Sequence, residues 1–510
     1  MLYQLLRRFF RVCVCRGSGL ALLISLSAAA GPTPDMPLNN ATEKVYSSKQ
    51  LQQDFQQLYR DLQRGSYHLF AHYPKQAYDQ QFTDYLALLN KPMSKLQAHK
   101  HFMQFVALAS IAHTRIDFPV ASYRAFIDAD GKTLPLSLNI NGDDITVAEY
   151  YGADPRVQPG QRLLSINGIA SREFLQPLQA YLAADNAALL DGLTGSQLAP
   201  LLWLHHAEQL SYTLSLQQPG SDARYQLQQA TLNQTEQAKN SAANRTANKA
   251  GSGSSEPRQY RILADTIGYL QPGPFYNVYA TNDAEVWDTT EFHAFIDQAF
   301  GTFVAAGVHS IIIDLRDNPG GTNSFSDHML AWFADKPFRF ASDFRVKVSA
   351  LSRAANRARM PEEGEPDAIT RQLEQFYRDN QEGAVISFPL QNTPPHRSEQ
   401  NIAASDIKVF VLIGRHSYSN AVSVAAIAQD YNFATVIGQP TADLATTYGA
   451  METFTLSHTG IVVGYPKALI IRPNGDAKPA GVTPDVLLDL PADNKAALQQ
   501  LIDYINADSR

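Results

Sequence analysis

At 510 residues, with 45% hydrophobic and 18% charged side chains, the chain has room for roughly two to four domains and an ordinary packed core. Its net charge of −7, from 42 Lys+Arg against 49 Asp+Glu, argues against nucleic acid as a partner. Both cysteines, Cys13 and Cys15, fall in the first 30 residues, so the rest of the chain has no disulfide or thiol chemistry.

Arg7, Arg8, Arg11 and Arg16 are followed by an uncharged run, "GSGLALLISLSAAA", and then Gly31-Pro32. A basic stretch, an apolar stretch and small residues near Ala28–Ala30 read as an export signal over 1–30. The run is shorter than the ~20 residues a spanning helix needs, so no membrane span is expected once the signal is removed. An exported chain left without cysteines is compatible with a bacterial periplasm.

Residues 31–118 read as an amino-terminal helical region, with apolar residues at three- and four-residue steps between Ser47 and Ala112. From 119 to 230 the texture changes to short alternating runs and an Asn-Gly turn, a small β-rich module. Residues 231–258 are polar and poor in aromatics, the composition of a disordered linker. Over 259–490 apolar strands alternate with helical stretches at 289–306, 324–335 and 421–431, which predicts an α/β domain with a largely parallel sheet. The segment 351–404 interrupts that alternation as an insertion, either a lid or substrate-binding element or else a variable surface loop. A helix closes the chain over 491–510.

Ser419 stands where the strand "KVFVLIG" turns through "RHSYSN" into a small-residue helix. A hydroxyl there faces unpaired backbone N–H groups and the positive end of a helix dipole, which suits a nucleophile whose product is an oxyanion. The plainer reading of such a serine is a helix N-cap. Upstream, "HSIIIDLRDNPGG" ends in Gly320–Gly321, where backbone approaches a ligand closely. The neighbouring pair His205–His206 lacks metal-ligand spacing and there is no His-Glu-x-x-His run, so neither metal nor cofactor is expected.

These segments resemble the tail-specific, or C-terminal-processing, serine proteases. "IIIDLRDNPGG" is similar to the family's Asp-Leu-Arg-x-Asn-x-Gly-Gly strand, "SYSNAVSVAAIAQDY" to its nucleophile segment, "VIGQPT" to the strand that follows, and "GVTPDV" to Gly-Val-x-Pro-Asp near the domain's end. "GQRLLSINGIASREF" resembles the family's PDZ-like domain, with Gln161 where Asp is usual. "FVALASIAHTRI" resembles its Leu-x-Asp-Gly-His-Thr motif, retaining His113 and Thr114. The resemblance implies a crotonase-like (ClpP-like) catalytic domain over 259–490, preceded by the helical region and a PDZ-like module at 119–230. It further implies Ser419 as nucleophile, His113 as general base, and backbone N–H groups of Gly320 or Gly321 and of Asn420 as the oxyanion hole, acting on a polypeptide substrate.

The departures are informative. The lysine of the family's Ser-Lys branch would fall at Leu444, so the histidine branch is favoured. The glutamate of that branch would fall at Lys478, which leaves Asp476, Glu452 or no group at all as the third member. A catalytically silent relative that binds peptides or small ligands, and a scaffold working through its PDZ-like region, are the rival readings.

Overall fold

Three helices, Ser48–Gly65, Lys75–Leu88 and Lys95–Ala107, build the amino-terminal region. The first and third start at capping boxes, in which Ser47 or Ser94 exchanges hydrogen bonds with a glutamine three residues on. In the first helix Leu51, Phe55, Leu58 and Leu62 recur on one face and are fully buried. The computed structural model describes residues 44–206, 209–248, 258–281, 284–360, 368–396, 401–491 and 494–508; the expected export signal, with both cysteines, lies outside them.

The middle module begins with a helix, Val120–Asp128, and carries an antiparallel sheet. Its strands run in the order Leu136–Asn141, Asp144–Tyr150, Arg162–Ile166, Ser211–Gln217, Arg224–Ala230. Alternate residues Tyr212, Leu214 and Leu216 face the core, as a strand period of two requires. Gln161 replaces the expected Asp and ties the preceding turn together, accepting from the Gln158 N–H (3.1 Å) and donating to the Arg156 carbonyl (2.9 Å).

The reading of 231–258 as a disordered linker is corrected by a helix at Gln234–Asn248. Composition concealed its start signal. Asn233 accepts the Glu236 N–H and the Glu236 carboxylate accepts the Asn233 N–H, both at 2.8 Å. Gln237 then donates to Thr133 and to the Leu232 carbonyl, fastening the helix to the module. Residues 249–257 of that stretch lie outside the described ones.

The large domain is built on a six-stranded sheet in the order Val486–Leu487, Thr435–Gly438, Lys408–Ile413, Ser310–Asp314, Ile267–Gln271, Gln259–Leu263, all parallel except the last. Strands covered on both faces read as continuous apolar runs, which is why "SIIID" and "VFVLI" are buried throughout. Ile311, Ile313, Val409 and Val411 pack under the helices Thr290–Ala305, Asn323–Ala331 and Asn420–Asp430. Ile312, Phe410 and Leu412 face the other way, onto Leu501 and Ile505 of the closing helix Asn494–Asp508, which therefore belongs to this domain.

The insertion 351–404 is, in its described part, a packed element rather than a loop. Its strand Val385–Ser387 extends a second sheet through Asp343–Lys347 to the hairpin Val462–Ile471 and Thr447–Thr455. Leu373, Phe376 and Tyr377 of its helix Ala368–Asp379 are buried with Phe388. That hairpin also receives the amino-terminal helices: Asp54 accepts the N–H groups of His458 (2.9 Å) and Thr459 (2.7 Å) in its turn.

Candidate active site

The loop between Ile413 and Asn420 is held from below. Ser417 Oγ donates to the Leu315 carbonyl (2.8 Å), and the Tyr418 N–H donates to the Asn318 carbonyl (3.0 Å). So braced, Ser419 adopts φ 53° and ψ −122°, a backbone conformation that non-glycine residues avoid and that costs about 1–3 kcal/mol. Its side chain makes no capping hydrogen bond to the helix it precedes. The N-cap reading therefore loses its support.

Gly320 lies against this loop so closely that a Cβ there would sit 2.5 Å from the Tyr418 carbonyl oxygen, 2.7 Å from the Asn420 nitrogen and 2.8 Å from the Ser419 Cβ. A Cβ on Gly321 would meet the Phe275 carbonyl oxygen at 2.0 Å. Among the described residues, the N–H groups of Gly321 and Asn420 have no hydrogen-bond acceptor. The Gly320 N–H, by contrast, donates to Asn318 Oδ1 at 2.8 Å. Gly320 thus supplies space rather than a donor, a correction to its expected place among the oxyanion amides.

His113 reaches this region from the turn that ends the helical part. Arg115, two residues on, pairs with Gly464 through both main-chain bonds (3.1 and 2.8 Å), and its guanidinium lies close enough to the Tyr418 side chain beside Ser419 for their charges to interact. Burial, aided by the nearby Arg115 charge, pulls the His113 imidazole down to about 4, against the favourable pull of the Tyr448 backbone. Its Nδ1 is buried without a hydrogen-bond partner. No hydrogen bond joins the imidazole to the Ser419 hydroxyl among the described residues; the structure brings their segments together through Arg115 and Tyr418.

Two buried carboxylates that the sequence reading missed are bonded to the backbone of these segments. Asp443 accepts the N–H of Ser419 and that of Leu444 (2.9 Å). Asp185 accepts the Ala112 N–H at 3.1 Å through Oδ2, while its Oδ1 is buried without a hydrogen bond, 3.9 Å from His72 Nε2. Burial raises Asp185 to about 7, helped by the Asp443 charge. Burial also raises Asp443 to about 6, against the two N–H groups that favour its charged form. Both stand alone in apolar surroundings, "LAADNAAL" and "TADLAT". A lone acid among small residues is all the sequence offers there, and by itself it marks no site.

The expected third members are placed elsewhere. Glu452 is closed off by Arg359, at 2.8 Å through both nitrogens, and by Lys467 at 2.5 Å. Asp476 is exposed and accepts the Lys478 N–H at 2.9 Å, within its own turn. Leu444 is buried where the branch lysine would stand. Among the described residues no group of three or more His, Cys, Asp or Glu could hold a metal ion.

Residues 267–488, which contain Gly320, Gly321, Ser419 and Asp443, match the family model described as peptidase family S41. This part of the chain is an S41 peptidase domain. The family consists of serine-type peptidases, and its substrate is a polypeptide. His113 and Asp185 lie outside the matched residues.

Among solved structures, that of mature CPAF complexed with lactacystin is 15% identical, with a TM-score of 0.62 over 90% of this chain and 97% of that one. Mature CPAF alone gives 16% identity and a TM-score of 0.61 over 90% and 96%. The photosystem II D1 C-terminal processing protease gives 16% identity and a TM-score of 0.43 over 88% and 96%. At such identity the CPAF likeness establishes a shared α/β fold with an amino-terminal helical region. No curated protein matches the chain.

Proposed function

We propose that this S41 domain hydrolyses peptide bonds with Ser419 as nucleophile and His113 as general base. The observation that carries the reading is the strained backbone of Ser419, an uncapped hydroxyl held against Gly320–Gly321 with the amides of Gly321 and Asn420 free beside it. A serine hydroxyl needs a base within roughly 2.6–3.2 Å during reaction, and hydrogen bonds of this kind often tighten only when substrate is bound. His113, neutral above about 4, accepts the proton and returns it to the leaving amine. The Gly321 and Asn420 amides receive the oxyanion, each such donor being worth roughly 10²–10³ in rate.

Asp185 is the group best suited to stabilise the imidazolium that forms. It is bonded to the residue before His113, and its Oδ1 and His113 Nδ1 are both buried without hydrogen-bond partners. We read the domain as crotonase-like and the middle module as PDZ-like, presenting polypeptide chains to the site. The arginine-rich leader supports export, to a periplasm. Among the described residues no helix is long and apolar enough to cross a membrane.

One observation favours the rival of a silent peptide-binding relative: the missing bond between imidazole and hydroxyl. Wild type and Ser419→Ala, assayed against a broad peptide library, separate the two. Cleavage lost in the variant with binding retained supports the enzyme; a wild type that cuts nothing supports the binder.

A further inference from the structure

At the carboxyl ends of the parallel strands lies a cavity of about 270 Å³, closed on one side by the hairpin of the middle module at Asn139–Thr146. Three strand ends contribute to it: Arg316–Asp317 after Ser310–Asp314, Gly414–His416 after Lys408–Ile413, and Gln439 after Thr435–Gly438. This is where open α/β sheets hold ligands. The half-buried Leu488 and Leu490 give it an apolar part, while Ile140 and Ile413 border it from the cores beneath.

The charges in the wall are matched, with one exception. Arg316 is bound through two nitrogens to Asp314 (3.0 and 2.7 Å), Asp144 pairs with Arg162 at 3.3 Å, and Asp317 faces Arg316 and His416. Arg415 makes no ion pair and no hydrogen bond among the described residues. The carboxylate whose field reaches it, Asp191, already accepts from Arg172, from Gln179 (2.8 Å) and from the Gly142 N–H (3.3 Å). Burial lowers Arg415 to about 10. The half-buried Arg415 guanidinium thus keeps its N–H donors open to the cavity, where an incoming acceptor can take the place of water.

We propose that this cavity binds a small aliphatic carboxylate, with Arg415 forking its two oxygens and Leu488 and Leu490 taking its hydrocarbon arm. A planar carboxylate matches the guanidinium fork, and the apolar wall selects against bare inorganic anions. Such a group is either a free short-chain acid or the carboxyl end of a peptide with an aliphatic last residue. Because Arg415 lies in the same loop as Ser419, whatever fills the cavity also touches the nucleophile's support.

The test is calorimetric titration of the full chain carrying Ser419→Ala, so that the result is independent of turnover. The probes are 4-methylpentanoate, N-acetyl-leucine, N-acetyl-leucine amide and inorganic phosphate. The two carboxylates should bind at least about 10-fold more tightly than the amide or phosphate, and Arg415→Gln should abolish that difference. Tighter binding of N-acetyl-leucine assigns the site to peptide ends, and tighter binding of 4-methylpentanoate to free acids; either supports the proposal. Arg415→Lys, which keeps charge but loses the fork, should bind with intermediate affinity and guards against a folding defect in the glutamine variant. Equal affinity of acid and amide, undiminished binding in Arg415→Gln, or no binding of either carboxylate would overturn it.

Discussion

The two halves of the candidate site are built in opposite ways. The nucleophile half is local to one sheet: strand, braced loop and helix follow one another in sequence, and Gly320–Gly321 closes in from the adjacent parallel strand. The imidazole half is assembled over long range, with His113 from the helical region, Asp185 from the middle module, and the hairpin at Gly464 holding their segment in place. A local half is positioned by the chain's own turn geometry. A distributed half depends on domain docking, so its precision is set by interfaces.

Removing the nucleophile should cost most: Ser419→Ala lowers kcat by roughly 10⁴–10⁶-fold with peptide binding intact, as measured by steady-state kinetics and titration. Asp185→Asn tests the distributed half and should cost roughly 10²–10⁴-fold in kcat/KM. It also carries a pH signature. Because Asp185 loses its proton only near 7, kcat/KM should rise with pH through that value, and the asparagine variant should lose that limb.

Stability has the opposite sign for this carboxyl. Its native pKa lies above the unfolded value of 3.8, so the native state holds the proton more tightly, and the stabilisation is lost as pH rises from about 4 through about 7. The asparagine variant's melting temperature should therefore decline less across that window than the parent's. A parallel decline in both proteins would remove Asp185 as the group responsible.

Gly320→Ala strikes the local half. The added Cβ displaces the Ser419 loop, and a kcat loss of roughly 10²-fold with little change in peptide affinity is expected, an effect like that of losing one oxyanion donor. Glu452→Gln distinguishes structure from chemistry: it leaves Lys467 and Arg359 facing a neutral amide and should destabilise the fold by about 3–5 kcal/mol in denaturant titrations. Activity per folded molecule should stay unchanged; a specific loss of kcat would return Glu452 to the catalytic set. Smallest of all, Asn233→Ala should cost about 1 kcal/mol through the lost cap and leave kinetics untouched.

What the sequence made legible follows the same division. Apolar runs and turn residues are local signals, so the parallel sheet, its helices and the strand–turn–helix of Ser419 could be read directly. Asp185 and Asp443 could not, because a single acid acquires its meaning only from a burial that distant segments create. The helix Gln234–Asn248 was hidden for a different reason: overall polarity outweighed a four-residue cap, and its hydrogen bonds to Thr133 and Leu232 supply the anchorage that composition does not record. Glu452 stays an open alternative in the sequence because its cations, Arg359 and Lys467, come from other segments.

The braced serine has a consequence for timing. A ribosome releases the helical region early and the strand–loop–helix of Ser419 near the end, and the hairpin that receives His113's segment emerges later still. For most of its synthesis a nascent chain therefore carries His113 without Ser419, and the two stay on unjoined pieces until the hairpin follows.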